Sequence, residues 1–309
     1  MSFYKYMTTN TGKIVIENST LRWSSPSIFN DIDECQFSPF SDSAYKSAFK
    51  AMTQVVANCA EGHLIYNFYE FSPQTQMMIQ ITKLGLENGT SNHDILLDMS
   101  EKLLENNFSN PEDYFREYVN TAIINCARVL CVTTDHDNDL MWAHYADEHR
   151  GCVFEFKKVY KETPDKLRQG SINYVKELKS SINAVDLLLY GETKPINDAL
   201  VKDVFFSKKN VWDYEKEYRL MFNESFGVIQ AKVNLQSNEK EITVSGQSEQ
   251  LHTDVEFAPE SLLSITFGVR TPPKVIDEII SAALNKNPQC VFYQMKRAKG
   301  GTVRHPMSI

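Results

Sequence analysis

What this chain of 309 residues lacks removes several classes of protein before any motif is read. It has no segment of the apolar length a membrane helix needs, and the opening MSFYKYMTTNTGK lacks the apolar core of a signal peptide. It has no long basic run, and its net charge is −8 with a pI near 5.5, which disfavours a general nucleic-acid-coating role. Free nucleotides and acidic substrates remain open, because a few placed donors bind them within an acidic protein. No Walker loop, GxGxxG or GxSxG occurs, nor any internal repeat or low-complexity stretch. The six cysteines (35, 59, 126, 131, 152 and 290) form no CxxC pair, and several sit inside apolar runs. They read as small core residues in a reducing compartment, with no disulfide, no zinc site and no permanently bound cofactor. A cytoplasmic protein is the expectation, with no membrane partner.

What is present suits a packed core. Apolar residues make up 42% of the chain, aromatics 11% and charged residues 23%. The N-terminal region predicts a helical turn at 13–18, a strand LRWSS and a turn PSIFNDIDE. From Ser43 to Cys59, the apolar positions Tyr45, Phe49, Met52, Val56 and Cys59 step by four, three, four and three, a helical face ended by Gly62. Helices follow across 74–86 and 93–106, and another begins at NPEDYF, where Asn110 caps and Pro111 fits the first helical position. RVLCVTT then reads as a central strand, LMWAHYADEHR as a short helix stopped by Gly151, and CVFEFK as a half-buried strand. Strands are expected at 171–175, 217–223, 227–234, 240–245, 252–257 and 262–269, then a helix TPPKVIDEIISAAL and a strand QCVFYQM. The fold class is α+β: a strand-rich mixed core in one domain spanning 1–309, with a helical insertion at about 43–125.

Three segments carry the specific signals: YKYM…LRWSSPSIFND, LMWAHYADEHRGCVFEF and WDYEKEYRL. All three tryptophans (Trp23, Trp142 and Trp212) fall within them. In that order, over roughly residues 3 to 270, the chain resembles the bacterial domain-of-unknown-function 2971 family. It departs from the family at FNDIDE, where Pro and an aromatic usually follow Asn-Asp. The turn loses its proline stiffening there and gains an acid. The resemblance implies no activity, but its accessory-gene setting fits phage defence or a toxin or effector.

Read as a strand, WDYEKEYRL puts Glu215, Glu217 and Arg219 on one face and Tyr218 and Leu220 on the other. The plain alternative is a solvated salt-bridge ladder. A strand Glu-x-Glu also resembles the signature of ADP-ribosyltransferases, in which a glutamate stabilises an oxocarbenium-like transition state as nicotinamide leaves NAD. That resemblance implies Glu217 as the catalytic carboxylate, Glu215 as the acceptor-orienting one, Tyr4, Tyr6, Ser24 and Ser25 as the NAD grip, and Arg219 as a partner for a carboxylate or phosphate. Trp212 offers an aromatic wall. Asn30 and Asp31 either order the turn or bind ribose hydroxyls. In the middle segment, His144 shares a helical face with Glu148, and Tyr145 with His149, whereas His144 and His149 lie about 140° apart and do not share one ion. His144, flanked by Trp142 and Tyr145, either packs in the core or touches substrate. Two other readings stay open. Asp31, Asp33 and Glu34 with Glu215 and Glu217 would hold Mg²⁺ in a nuclease, or the motifs frame a non-catalytic sensor. Lys208 and Lys209 lie near the proposed face, where they are usable for phosphate or are simply solvated. The leading expectation is a nucleotide-acting enzyme that transfers ADP-ribose from NAD to a macromolecular acceptor, protein or nucleic acid, or hydrolyses NAD.

Overall fold

The structure, a computed structural model, describes residues 2–31, 34–35, 42–89, 123–191, 193–224, 228–233, 240–245 and 248–308, with backbone alone for 42, 228–233 and 240–245. The helices expected at 93–106 and from Asn110 lie outside these residues, as does Asp33. The described elements run β1 (Phe3–Met7), α1 (Thr9–Asn18), β2 (Thr20–Ser24), α2 (Asp42–Ala60), α3 (Pro73–Glu87), β3 (Ala127–Thr133), α4 (Asp139–Tyr145), β4 (Cys152–Phe156), β5 (Arg168–Ser171) and β6 (Asn173–Val175). They continue with α5 (Ala184–Tyr190), α6 (Lys194–Phe205), β7 (Ser207–Lys209), β8 (Glu217–Asn223), β9 (Val228–Val233), β10 (Lys240–Ser245), β11 (His252–Glu256), β12 (Leu262–Phe267), α7 (Pro273–Lys286), β13 (Val291–Ala298) and β14 (Gly301–Pro306). The fold is α+β with a mixed ten-stranded sheet. Among the described residues, no helix is long and apolar enough to cross a membrane.

Contacts divide the chain into two units. The first comprises residues 1–34, 122–176 and 208–309, and the second 35–121 and 177–207. The second unit therefore contains α2 and α3, expected as an insertion, together with α5 and α6, which the sequence reading left unassigned. In it, Met52, Val56 and Cys59 of α2 pack with Phe71, Ile79 of α3 and Leu189 of α5. The positions that step by three and four along α2 thus bury one face, as the periodicity requires. Ser72 caps α3 by accepting from the Thr75 amide at 3.2 Å, and Pro73 occupies the first turn.

The first unit holds the large sheet, ordered β11-β2-β3-β1-β4-β12-β13-β14, with β8 on β3 and β5 on β8. One face carries the main core. Leu130, Val132, Leu220, Phe154, Phe156 and Ile265 pack there with Val15 and Ile16 of α1 and Ile276, Ile279 and Ala283 of α7. The opposite face buries Tyr6, Val153 and Met295 against Met141, Trp142 and Ala146. Strand β3 pairs with β8 along its whole length, from Ala127↔Asn223 to Thr133↔Glu217. Its other edge is shared: β2 meets it at Ser24↔Val129, and β1 at Tyr4↔Thr133. Between those two bridges the Cys131 carbonyl accepts from the Lys5 ammonium, at 2.6 Å, in place of a ladder partner. The sheet is forked at this point, and the fork positions the site.

Two sequence expectations change. WDYEKEYRL is not one strand. Asn210–Glu215 form a 3-10 turn, Lys216 adopts φ 43°, and β8 begins only at Glu217. The left-handed Lys216 turns a corner that side-chain alternation cannot reveal. Likewise α4 ends at Tyr145, not Arg150, and Asp147, Glu148 and His149 all have positive φ. The expected same-face pairs His144–Glu148 and Tyr145–His149 do not form on a helix, because one member of each lies in this left-handed turn. Its amides are satisfied by the helix end, with Glu148 donating to Ala143 (3.3 Å), His149 to Trp142 (3.2 Å) and Gly151 to Ala146 (2.8 Å). Gly268 is required beside it, since a Cβ there would meet the His149 carbonyl oxygen at 2.1 Å. The strongest part of the middle segment is therefore a backbone device.

Candidate active site

At the fork, the first unit forms a half-open cavity of about 510 Å³, within the usual range for small-molecule sites. Tyr4, Lys5 and Tyr6 of β1, Arg22 and Ser24 of β2, and Val129, Cys131, Val132 and Thr133 of β3 form part of its wall. The turn after β2 adds Ile28 to Asp31, α4 adds Met141 and Tyr145, and the segment entering β8 adds Lys208, Trp212, Glu215 and Glu217.

The floor is a buried ionic cluster. Lys208 contacts Glu215 at 2.6 Å, Glu217 at 3.2 Å and Glu34 at 3.5 Å. Arg219, fully buried, holds Glu217 through Nε at 2.5 Å and Nη2 at 3.1 Å, and also contacts Glu34. The Tyr145 hydroxyl donates to Glu215 at 2.6 Å, and the Glu217 amide donates to the Tyr174 hydroxyl at 2.9 Å. Among the described residues, three carboxylates thus face two cations in this cluster. Desolvation opposes charge on Lys208, yet Glu217 and Glu215 raise its pKa above the usual lysine value. Burial raises Glu217, with Lys208 opposing. Burial pulls Arg219 down to about 9, so its guanidinium remains charged at neutral pH. Burial and then Glu217 push the Cys131 thiol up, so it is protonated and able to donate to that carboxylate. Burial raises Tyr145 too, and Tyr174 to about 12.

Of the residues singled out from sequence, Tyr4, Tyr6, Ser24, Asn30, Asp31, Tyr145, Trp212, Glu215 and Glu217 line this one cavity. Four others do not. Ser25 is buried: its hydroxyl donates to the Ile124 carbonyl at 2.9 Å and accepts from the Ser27 amide at 3.2 Å, capping the 3-10 turn. Trp142 is fully buried in the core, edge-on to Tyr6 at 5.4 Å and stacked on His149 at 6.2 Å. His144 is exposed on α4. Arg219 lies beneath Glu217 and Glu34 rather than on the wall, although its guanidinium carbon is 5.9 Å from the centre of the Phe29 ring.

The residue whose place the sequence conceals most is Lys208, expected to contact phosphate or solvent and found 6% exposed at the centre of the cluster. A signal for it existed: the carboxylates proposed to converge here outnumber Arg219, and burying them demands a second cation. Lys208 also lies 5.2 Å from the Trp212 ring centre, joining the cluster to the aromatic wall. Glu34, weighed only as a metal ligand, is instead paired with both cations.

A mixed sheet whose forked strands frame an aromatic cavity over buried carboxylates and cations defines an α+β protein with a candidate small-molecule site. Residues 141–220 match the family described as "Protein of unknown function (DUF2971)". The match runs from α4 to Leu220, so it supplies Tyr145, Lys208, Trp212, Glu215, Glu217 and Arg219 but none of β1 or β2. No curated protein and no solved structure matches the chain.

Proposed function

We propose that this cavity binds a nucleotide and that the protein cleaves NAD in the manner of an ADP-ribosyltransferase, passing ADP-ribose to a macromolecule or to water. The observation that carries the reading is the meeting of aromatic walls and a carboxylate pair, from segments far apart in sequence, in one cavity. Tyr4, Phe29 and Trp212 offer faces for planar rings. Asn30, Asp31 and Ser24 offer hydrogen-bonding groups for ribose hydroxyls, and Lys5 and Arg22 offer cations for phosphate. Among the described residues the floor carries one more carboxylate than it has cations, which favours a cationic pyridinium ring and the positive charge that develops as it leaves.

In this mechanism, the bond between the ribose anomeric carbon and the nicotinamide nitrogen breaks, and its electron pair leaves with nicotinamide. The resulting oxocarbenium-like centre faces Glu217, already fixed by Arg219 and Lys208, so little reorganisation is needed as charge appears. Water or an acceptor group adds at that carbon and releases its proton. Glu215, held by Tyr145 and Lys208, orients the acceptor. The Mg²⁺ nuclease reading is less well supported, because Glu34, Glu215 and Glu217 are each bound to a cation. In a phage-defence or effector setting, cleavage of this kind acts by depleting NAD or by marking a host macromolecule.

Incubating the protein with NAD, with and without EDTA, tests the proposal. Release of nicotinamide unaffected by chelator is expected. Absence of release with NAD bound favours a sensor, and chelator-sensitive cleavage of nucleic acid favours the nuclease; either result overturns the proposal.

A further inference from the structure

Tyr4 is the cavity residue whose hydroxyl is drawn into a second polar system, and that system reaches across the sheet. Its hydroxyl donates to Glu155 Oε1 of β4 at 3.1 Å. Glu155 Oε2 accepts from Ser264 of β12 at 2.6 Å and lies 3.5 Å from Arg304 Nη2 of β14. Arg304 is fixed in turn: its Nε donates to Thr266 at 2.9 Å, its Nη2 to Ser264 at 2.8 Å, and its guanidinium carbon sits 3.6 Å from the Tyr293 ring centre of β13. Every strand in the order β1-β4-β12-β13-β14 supplies at least one member of this row. Tyr6, the neighbouring cavity tyrosine, is anchored differently. Its hydroxyl donates to the Asp135 carbonyl and accepts from the Asn138 amide, fixing the loop before α4. Tyr4 makes no such backbone bond among those described. Its ring touches His136 edge-on at 5.2 Å, and its hydroxyl is met by Glu155 and by the Ser2 side chain, which also bonds Glu155.

We propose that Glu155, clamped by Ser264 and Arg304, is a positioning residue that orients the Tyr4 ring as the surface against which a planar ring of the bound ligand packs. The proposal rests on the nucleotide reading for the identity of that ligand. A hydroxyl–carboxylate bond restricts the phenol to one plane, and a ring held in advance loses less freedom when the ligand stacks on it. Glu155 lies within the 141–220 family match, whereas Tyr4, Ser264 and Arg304 lie outside it, so the device joins the matched segment to strands beyond it.

The test is a double-mutant cycle on NAD binding, with Glu155→Ala, Glu155→Gln, Tyr4→Phe and the pair Tyr4→Phe/Glu155→Ala. Glu155→Ala should weaken binding about five- to tenfold, the scale of one lost charge-assisted hydrogen bond. Glu155→Gln, which keeps an acceptor, should restore most of that. The double variant should be no weaker than Tyr4→Phe alone. Additive losses, or unchanged binding in Glu155→Ala, would overturn the proposal. If the wild type binds no NAD, the nucleotide reading fails, and 3-fluorotyrosine NMR then decides the positioning claim. The Tyr4 resonance, assigned by its loss in Tyr4→Phe, must shift or broaden in Glu155→Ala and return toward wild type in Glu155→Gln; an unmoved resonance overturns it.

Discussion

Two arginines on neighbouring strands of the first unit are both fully buried, yet they do different things. Arg128 of β3 and Arg219 of β8 belong to one antiparallel ladder, in which Arg128 pairs with Phe222 and Arg219 with Cys131. Side chains alternate along a strand, so the two guanidinium groups leave opposite faces of the ladder. Arg128 is met mainly by neutral oxygens: the carbonyls of Asn125 (2.7 Å), Ala127 (3.1 Å) and Gln250 (2.6 Å) and the Thr253 hydroxyl (3.0 Å). Its one carboxylate, Glu224 at 2.7 Å, is a quarter exposed. That arrangement ties together the ends of β3, β8 and β11. Arg219 instead meets two buried carboxylates, which share Lys208 with a third, and this cluster forms the floor of a cavity. Burial of an arginine is therefore no marker of function by itself. What distinguishes the two is the kind of oxygen that satisfies the guanidinium, and whether the cluster opens onto a cavity.

The largest effect should come from removing a cation from the cavity floor. Lys208→Met leaves Glu215 and Glu217 buried with Arg219 alone, and should lower stability by about 3–5 kcal/mol. Arg128→Met should cost less, about 1–3 kcal/mol, because Glu224 can turn to solvent while the freed carbonyls are left short of donors. Urea unfolding of both variants checks the order, and the reverse order would break the distinction drawn between the two clusters.

Next is the pH dependence of stability. Lys208, Tyr6, Tyr145 and Tyr174 all have folded values raised above their ordinary ones. From about pH 10 upward the unfolded chain therefore releases protons that the folded chain keeps, and stability falls as pH rises. Tyr174→Phe should remove the part of that fall lying between pH 10 and about 12. Glu155 has the opposite sign. Its carboxyl is lowered because the hydrogen bonds from Ser264, Ser2 and Tyr4 and the charge of Arg304 outweigh burial. Its contribution is present above the ordinary glutamate value and is lost as pH falls through the lowered one. Unfolding midpoints of wild type, Tyr174→Phe and Glu155→Gln across pH separate the two limbs.

A smaller effect concerns the aromatic wall. Trp212→Ala should weaken NAD binding about tenfold, on the scale of a lost ring contact with its cation–π neighbour, and leave the urea midpoint nearly unchanged because the ring is half-exposed. Isothermal titration checks the first part and urea unfolding the second. The smallest effect is kinetic. Cys131 lines the cavity and is the one cysteine of the six that is partly rather than fully buried. A thiol reagent should reach it first, slowly because its thiolate is disfavoured, and NAD should slow it further; equal rates with and without NAD would detach this thiol from the ligand's path.

Much of the fold could be read from the residues because its signals are local. The alternation in CVFEFK places Cys152, Phe154 and Phe156 in the main core and Val153 on the other face, as observed. The β8 span and the α2 face also follow from side-chain period alone. The elements left unread are short or carry a period that the sequence reading missed. AVDLLLY is a seven-residue helix, too short for a period to show, KPINDALVKDVF carries a helical spacing of apolar residues (Ile196, Ala199, Leu200, Val204) behind an opening Lys-Pro, and GTVRHP has little alternation and an arginine turned toward Glu155. The site was legible as a set of residue types but not as geometry. Glu215 and Glu217 do converge, but through the left-handed corner at Lys216 rather than along one strand face, and Lys208 between them supplies the second cation. His144 and Trp142 were drawn in by their neighbours in sequence, whereas the short α4 sends one to solvent and the other to the core.

The central claim, that the Arg219 cluster is a site and the Arg128 cluster a clamp, is tested most directly by nicotinamide release from NAD in Glu217→Gln beside Glu224→Gln. Each change removes one carboxylate charge next to a buried arginine and nearly preserves shape. In Glu217→Gln the remaining Glu34 and Glu215 balance Lys208 and Arg219, so the fold should hold while the rate falls by about 10²–10³. Glu224→Gln should keep the wild-type rate at whatever stability it retains. Equal rates in the two variants, or losses that track their unfolding midpoints, would contradict the account.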